Sequence, residues 1–214
     1  MNDSVLDELK TAIVKGEDGL ATRKTSDALA GGLPPLDILN RGVVPGIVHA
    51  GELWKANQYF LPDVIMAAEA FKAAMQPLEP ELKKTQGGRS RGKVVMGVVE
   101  GDMHELGKSL VIAMLTSAGF DVTDLGINVP PARFIEAVRE VQPDIVGLGA
   151  YMTTTMLQMK DIIAELARQG LRARVKVLVG GVPTSQEFAD EVGADAWGRD
   201  ALDAMQKALV LVGV

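Results

Sequence analysis

Between residues 93 and 210, short apolar runs alternate with segments whose apolar residues recur at helical spacing, and this alternation restricts the fold more than any other feature of the chain. Such a pattern is typical of a parallel sheet with helices on both faces. We therefore predict an α/β domain of the Rossmann type, with five parallel strands in the flavodoxin-like order 2-1-3-4-5. The predicted strands and the helices that follow them are 93–100 with 107–118, 121–126 with 131–141, 144–150 with 155–169, 175–179 with 184–191, and 194–197 with 199–210.

The part of the chain before residue 77 has helical patterns only, and these predict a four-helix bundle. The expected helices begin at Ser4 and Asp18, pass through Ile47 and Trp54, and run from Asp63 to about Met75. Stretches rich in proline and glycine at 77–80 and 86–92 are typical of a linker. The expected organisation is a helical cap domain at 1–86, a linker at 87–92 and the sheet domain at 93–214.

The composition excludes several classes of function. The net charge of −6 and the absence of a basic stripe argue against nucleic-acid partners and against attraction to anionic membranes. No apolar run is long enough to span a bilayer, and acidic residues stand where a secretory signal would carry lysines, so we expect a cytoplasmic protein. Because the chain has no cysteine, its two histidines, His49 and His104, are the only strong nitrogen ligands for a metal.

The stretch Glu100–Gly107 lies between the first predicted strand and its helix, at the carboxyl end where open parallel sheets bind ligands. Asp102 and His104 are two residues apart, so the carboxylate can orient the imidazole. This pairing is typical of a metal ligand with its supporting carboxylate, and it is equally suited to acid–base chemistry.

In the predicted strand order, the loop after strand 3, Gly149–Thr155, meets the Asp102 loop at one crevice. Gly180–Gly181 ends the next strand, where two glycines would allow close approach of a bulky ligand. Each feature also has a structural explanation: the threonines can cap a helix, and a double glycine is a common turn. Met103 and Met152 lie in the two ligand loops and can touch a flat apolar ligand, whereas His49 is expected to be a structural or exposed histidine.

Two other ligand classes with this strand order do not fit the residues. A phosphoacceptor receiver domain would need an aspartate after strand 3 and a lysine after strand 5, where Gly149 and Arg199 stand. A flavin site would need a phosphate-binding loop rich in Ser, Thr and Gly after strand 1, and this loop carries acids instead.

The chain resembles the cobalamin-binding (corrinoid) methyl-carrier proteins, which are related to the cobalamin module of methionine synthase. The family pattern is Asp-x-His-x-x-Gly, about 41 residues, Ser-x-Leu, 26 to 28 residues, and Gly-Gly. Here Asp102-Met-His104-Glu-Leu-Gly107 is followed by 41 residues, Gly149-Ala-Tyr151, 28 residues and Gly180-Gly181. Gly51-Glu-Leu-Trp54 and Tyr59-Phe-Leu-Pro62 also resemble the family's helical cap, so the resemblance covers nearly the whole chain.

The chain departs from the pattern at Gly149 and Tyr151, which replace the serine and the leucine. The resemblance places that serine beside the lower base of the corrinoid. We therefore expect a pocket that tolerates a different lower base or holds dimethylbenzimidazole by packing alone.

The resemblance implies base-off, His-on binding of cobalamin, with His104 as the cobalt ligand and Asp102 and Thr155 as its hydrogen-bonded relay. It implies that cobalt alternates between methylcobalamin and Co(I), and that the helical cap covers the methyl face. The further residues expected to contact the corrinoid are Met103, Gly107, Gly149, Tyr151, Met152, Thr153, Gly180, Gly181 and Phe60.

The expected function is that of a methyl shuttle that does not act alone. A donor methyltransferase would methylate Co(I), an acceptor methyltransferase would pass the methyl to tetrahydrofolate or coenzyme M, and an ATP-dependent activator would reduce accidental Co(II). Methoxyaromatics, methanol, methylamines and betaine are all possible donors, and we favour aryl methyl ethers in an anaerobe. The alternatives are an adenosylcobalamin-dependent sensor and a corrinoid storage protein.

Overall fold

The computed structural model describes residues 2–84 and 90–213, and the chain divides into two compact units, Met1–Gly87 and Gly88–Val214. The first unit is helical and the second is α/β. The helices of the first unit are α1 (Asn2–Val14), α2 (Asp18–Ala30), α3 (Pro35–Ile38), α4 (Val44–Lys55) and α5 (Leu61–Lys84), with a π-helical turn at Leu39–Val43.

The third helical stretch is continuous, because the π-helical turn joins α3 directly to α4. Pro45 has no N–H with which to bond the carbonyl of Arg41, and a wider turn accommodates that gap in the ladder. Gly42 lies in this turn against α1, where an added Cβ would stand 2.9 Å from Cδ2 of Leu9. The turn therefore lets the helix pass close to α1.

Helix α5 is longer than the sequence predicts: it does not end near Met75, and the expectation that the stretch 77–80 is typical of a linker was wrong. The helix continues through Pro77 and Pro80. Pro77 cannot donate to the carbonyl of Ala73, but Oγ1 of Thr22 donates to that oxygen at 3.2 Å. Leu78 and Leu82 are fully buried, so packing stabilises the last turns. Of the linker expected at 87–92, residues 87–89 lie outside the described part.

The second unit contains the sheet, and its five parallel strands have the predicted order β2-β1-β3-β4-β5. Its elements are β1 (Lys93–Val98), α6 (Leu106–Ser117), β2 (Asp121–Asp124), α7 (Pro131–Val141), β3 (Ile145–Gly149), α8 (Gln158–Arg168), β4 (Lys176–Gly180), α9 (Gln186–Val192), β5 (Ala196–Gly198) and α10 (Ala201–Leu211), with a 3-10 turn at Arg172–Arg174.

The central strands β1, β3 and β4 end level with one another. Val98 pairs with Gly149, and Gly149 pairs with Gly180. One apolar layer on the sheet includes Phe134, Ile162 and Val177. The opposite layer includes Leu115 and Leu178. The loops that leave this level edge are therefore carried by a sheet packed on both faces.

Lys108, in the first turn of α6, is a fully buried lysine. Its ammonium pairs with the carboxylate of Asp124 at the end of β2. Since a buried charge without a partner is costly, this ion pair fixes the start of α6 to the neighbouring strand.

Within residues 2–84 and 90–213, no helix combines the length and the apolar character that crossing a bilayer requires.

Candidate functional site

Asp102 is the centre of the candidate site, because its side chain is fully buried and takes hydrogen bonds from two loops. Oδ1 accepts from Nδ1 of His104 at 2.7 Å and from its backbone N–H at 3.1 Å. Oδ2 accepts from the N–H of Tyr151 and from Oγ1 of Thr155, both at 2.7 Å. The loops after β1 and β3 are thus joined through one carboxylate.

The environment of Asp102 keeps it ionised. Burial alone would raise the pKa of this carboxyl group, but the hydrogen bonds from Tyr151, Thr155 and His104 outweigh burial and lower the pKa to about 2. An ionised carboxylate only accepts hydrogen bonds. The short contact to His104 therefore requires a proton on Nδ1 of the imidazole.

His104 presents its other nitrogen for a further interaction. Its side chain is 58% exposed, although the carboxylate that holds it is buried. With the proton on Nδ1, the neutral ring has its lone pair on Nε2, which is the form that ligates metals. Within the described residues, no group of three or more His, Cys, Asp or Glu side chains is placed to hold a metal. A metal at His104 would bring its other ligands with it, as a metal in a macrocycle does.

The loop that carries Asp102 is fixed by Asn128, a residue that the sequence analysis missed. The N–H of Asn128 donates to the Asp102 carbonyl at 3.0 Å, and Oδ1 of Asn128 accepts from the N–H of Gly101 at 2.8 Å. Asn128 has a φ of +53°, which asparagine tolerates better than most residues. An asparagine just before Val129-Pro130 is a turn signal, but nothing in the sequence connects it to Asp102.

Thr155 and Thr153 have different environments. Thr155 is buried and donates to Asp102, whereas Thr153 is exposed in the same loop. Helix α8 begins only at Gln158, so these threonines do not cap it. The role of Thr153 at the edge of the corrin stays a prediction.

The motif glycines contact the protein's own backbone and side chains. An added Cβ on Gly107 would lie 2.3 Å from Oη of Tyr151, and one on Gly181 would lie 1.8 Å from the Ala150 carbonyl. Gly181 also has a φ of +120°. Gly149 is less constrained, since its nearest neighbour would be Cγ2 of Val98 at 3.5 Å, and Gly180 would approach the Gly198 carbonyl at 3.1 Å.

Exposed apolar side chains occur in the loops that follow the three central strands, β1, β3 and β4. Met103 follows β1, Met152 and Leu157 follow β3, and Val182 follows β4. Such a set is unusual for a surface facing only water. It suits the predicted flat apolar ligand, and together with the single imidazole it fits a metal macrocycle.

Two aromatic residues named by the sequence analysis lie in different units. Tyr151 is close to His104, with ring centroids 5.8 Å apart, and burial followed by the charge of Asp102 raises the pKa of its phenol. Phe60 lies just before α5 in the helical unit, 68% exposed, and its N–H donates to Asp63 at 2.8 Å. Its contact with the corrin stays a prediction.

Comparisons with known proteins support the resemblance to the corrinoid proteins. A family model described as a B12 binding domain matches residues 92–206, and a second with the same description matches residues 5–79. A corrinoid protein of Desulfitobacterium hafniense (strain Y51) is 44% identical over 98% of this chain and 98% of its own. The solved monomethylamine corrinoid protein of Methanosarcina barkeri is 35% identical, with a TM-score of 0.81 over 99% of this chain and 100% of that one. A chain of the M. barkeri methanol:cobalamin methyltransferase complex is 28% identical, with a TM-score of 0.57 over 99% and 81% of the two chains.

Proposed function

We propose that this chain carries methyl groups on a cobalt ion ligated by His104. The chain belongs to the B12-binding corrinoid proteins and has cobalamin as its cofactor. The observation that carries the proposal is the fully buried, ionised Asp102 holding the exposed imidazole by Nδ1. This arrangement directs one lone pair, on Nε2, toward a ligand.

The residues around Asp102 have separate roles in this proposal. Asp102 fixes the tautomer of His104, and Thr155 and the N–H of Tyr151 keep the carboxylate in place and charged. The bound corrinoid supplies a cobalt ion that accepts and releases a methyl group. Whenever the imidazole is not ligated, Nε2 can take up a proton while Nδ1 stays bonded to Asp102, so the pair can hold a proton between steps.

The proposed partners are methyltransferases. A chain similar to this one occurs in a methanol:cobalamin methyltransferase complex, which supports a donor methyltransferase as partner. The similarity to a monomethylamine corrinoid protein favours methylated amines as donors over the aryl methyl ethers favoured from the sequence. An acceptor methyltransferase for tetrahydrofolate or coenzyme M and an ATP-dependent reductive activator complete the proposed system.

Substitution of His104 tests the proposal directly. Protein labelled with ¹⁵N-histidine and loaded with Co(II) cobalamin should show the doublet splitting of an axial ¹⁵N ligand in its electron paramagnetic resonance spectrum. His104→Ala should abolish that splitting. The matched control is His49→Ala, which removes an exposed imidazole bonded to Glu52 and should leave the splitting unchanged. A ¹⁵N splitting that survives in His104→Ala would refute the ligand assignment.

A further inference from the structure

Tyr151 packs against the imidazole of His104, with the two ring centroids 5.8 Å apart. We infer that Tyr151 is a positioning residue for His104, whose ring blocks rotation of the imidazole away from Asp102. The inference rests on the proposed function, since the orientation of this imidazole matters for cobalt ligation. It concerns this chain in particular, because the family pattern has leucine at this position.

The need for such a residue follows from the exposure of His104. Among the described residues, the imidazole makes one side-chain hydrogen bond, from Nδ1 to Asp102, and its side chain is 58% exposed. An exposed side chain with one hydrogen bond retains other rotamers that water can satisfy equally well. A second, apolar contact is needed to disfavour them.

Tyr151 supplies that contact with a ring that is itself fixed. Its backbone N–H donates to Oδ2 of Asp102, which anchors the start of the side chain. Its ring lies on the Cα of Gly107, since a Cβ there would be 2.3 Å from Oη and 2.5 Å from Cε1. The ring is therefore held from the direction of helix α6.

The geometry between the two rings is that of a packed aromatic pair. The centroids are 5.8 Å apart and the ring planes are tilted by 41°. Because Tyr151 bonds Asp102 through its backbone and touches His104 through its ring, one residue fixes the carboxylate and the imidazole relative to each other. Gly107 has a part in this, since a larger residue would displace the phenol ring.

Nuclear magnetic resonance of the corrinoid-free protein tests the inference. With only two histidines in the chain, His49 serves as an internal reference. At a pH where both rings are neutral, the Nδ1–H tautomer of His104 should exceed the other by about tenfold or more in the wild type, because that proton bonds an ionised carboxylate. An imidazole that rotates into water populates both tautomers.

Three variants separate positioning from a general structural role. Tyr151→Phe keeps the ring and should keep the wild-type tautomer ratio. Tyr151→Ala removes the ring, and Gly107→Ala should displace it, so both should lower the ratio by about fivefold. Gly107→Ala decides the matter if Tyr151→Ala does not fold. A wild-type ratio in a folded Tyr151→Ala or Gly107→Ala protein would overturn the inference.

The loaded protein distinguishes this inference from the proposed function. If His104 of the wild type gives no axial ¹⁵N splitting with Co(II) cobalamin, the ligand assignment fails, whereas the tautomer ratio still decides whether Tyr151 positions the ring. If the splitting is present, Tyr151→Ala should bind Co(II) cobalamin several-fold more weakly, and Tyr151→Phe should bind it as the wild type does. Equal affinity of Tyr151→Ala and wild type would contradict positioning.

Discussion

Four hydrogen bonds converge on the buried carboxylate of Asp102, and they determine both its charge and the tautomer of His104. The strand order predicted that the loop ending in Thr155 meets Asp102 and His104, and the resemblance to the corrinoid proteins implied that Thr155 bonds Asp102. The sequence could not predict that the N–H of Tyr151 bonds Asp102 or that Asn128 fixes the Asp102 loop. Any residue can supply a backbone donor, and a left-handed turn does not reveal which distant loop it contacts.

The lowered pKa of Asp102 predicts a pH dependence of stability. The pKa of Asp102 is 3.8 in the unfolded chain and about 2 in the folded protein. At a pH between these two values, the unfolded chain binds the proton and the folded chain does not. The resulting stabilisation is complete above about pH 4 and is lost as the pH falls toward 2. In denaturant unfolding of the corrinoid-free protein, the advantage of wild type over Asp102→Asn should shrink by roughly 2 kcal/mol over this range.

Two threonines of the loop after β3, Thr155 and Thr153, provide a matched pair of variants for that measurement. Thr155→Val removes one donor to Asp102 and should move the acid loss of stability to higher pH. Thr153→Val removes an exposed hydroxyl from the same loop and should follow the wild type. If the free energies of unfolding of wild type and Asp102→Asn changed in parallel with pH, the Asp102 carboxylate would not contribute the expected pH-dependent stabilisation.

At the scale of elements, helix α5 shows how a tertiary contact overrides a local rule. Two prolines predict a helix end, and the helical pattern of the sequence predicts that end near Met75. Thr22 in α2 donates to the carbonyl that Pro77 leaves without its helical donor, and Leu78 and Leu82 are buried beyond it. No local pattern in 61–84 reveals a donor 51 residues away in sequence.

Thr22→Val should therefore destabilise the helical unit by about 1 kcal/mol, because the Ala73 carbonyl loses its donor while the shape of the side chain is kept. Thr11→Val is the control, since Thr11 makes the same bond to the residue four before it but none to α5. Urea unfolding followed by Trp54 fluorescence in a Trp197→Phe background measures the difference. Equal losses in the two variants would assign no role to the interhelical bond.

At the scale of the whole molecule, the alternating pattern predicted the sheet order because right-handed crossovers leave few alternatives for such a chain. The sequence pattern of this chain does not identify the methyl donor, because in the proposed system the partner methyltransferase binds that donor.

A loading experiment addresses the donor. Anaerobically reduced protein is mixed with a candidate donor and the methyltransferase that acts on it, and methyl–cobalt formation is followed by absorbance. We expect methylation with mono-, di- or trimethylamine and its methyltransferase, and none with methoxyaromatics. Efficient methylation from a methoxyaromatic with its methyltransferase, and none from the methylamines, would show that the donor is an aryl methyl ether.

The single imidazole at this edge also determines which metals the protein can acquire. The carboxylate beside His104 is already engaged by four hydrogen bonds, so among the described residues a bare Zn²⁺ or Ni²⁺ ion would find one free ligand at this edge, whereas protein zinc sites supply three or four. We therefore expect His104 to hold a bare divalent ion only weakly. Cobalt is already part of the corrin ring when cobalamin binds, so the choice of metal is made during synthesis of the corrinoid and not by this protein.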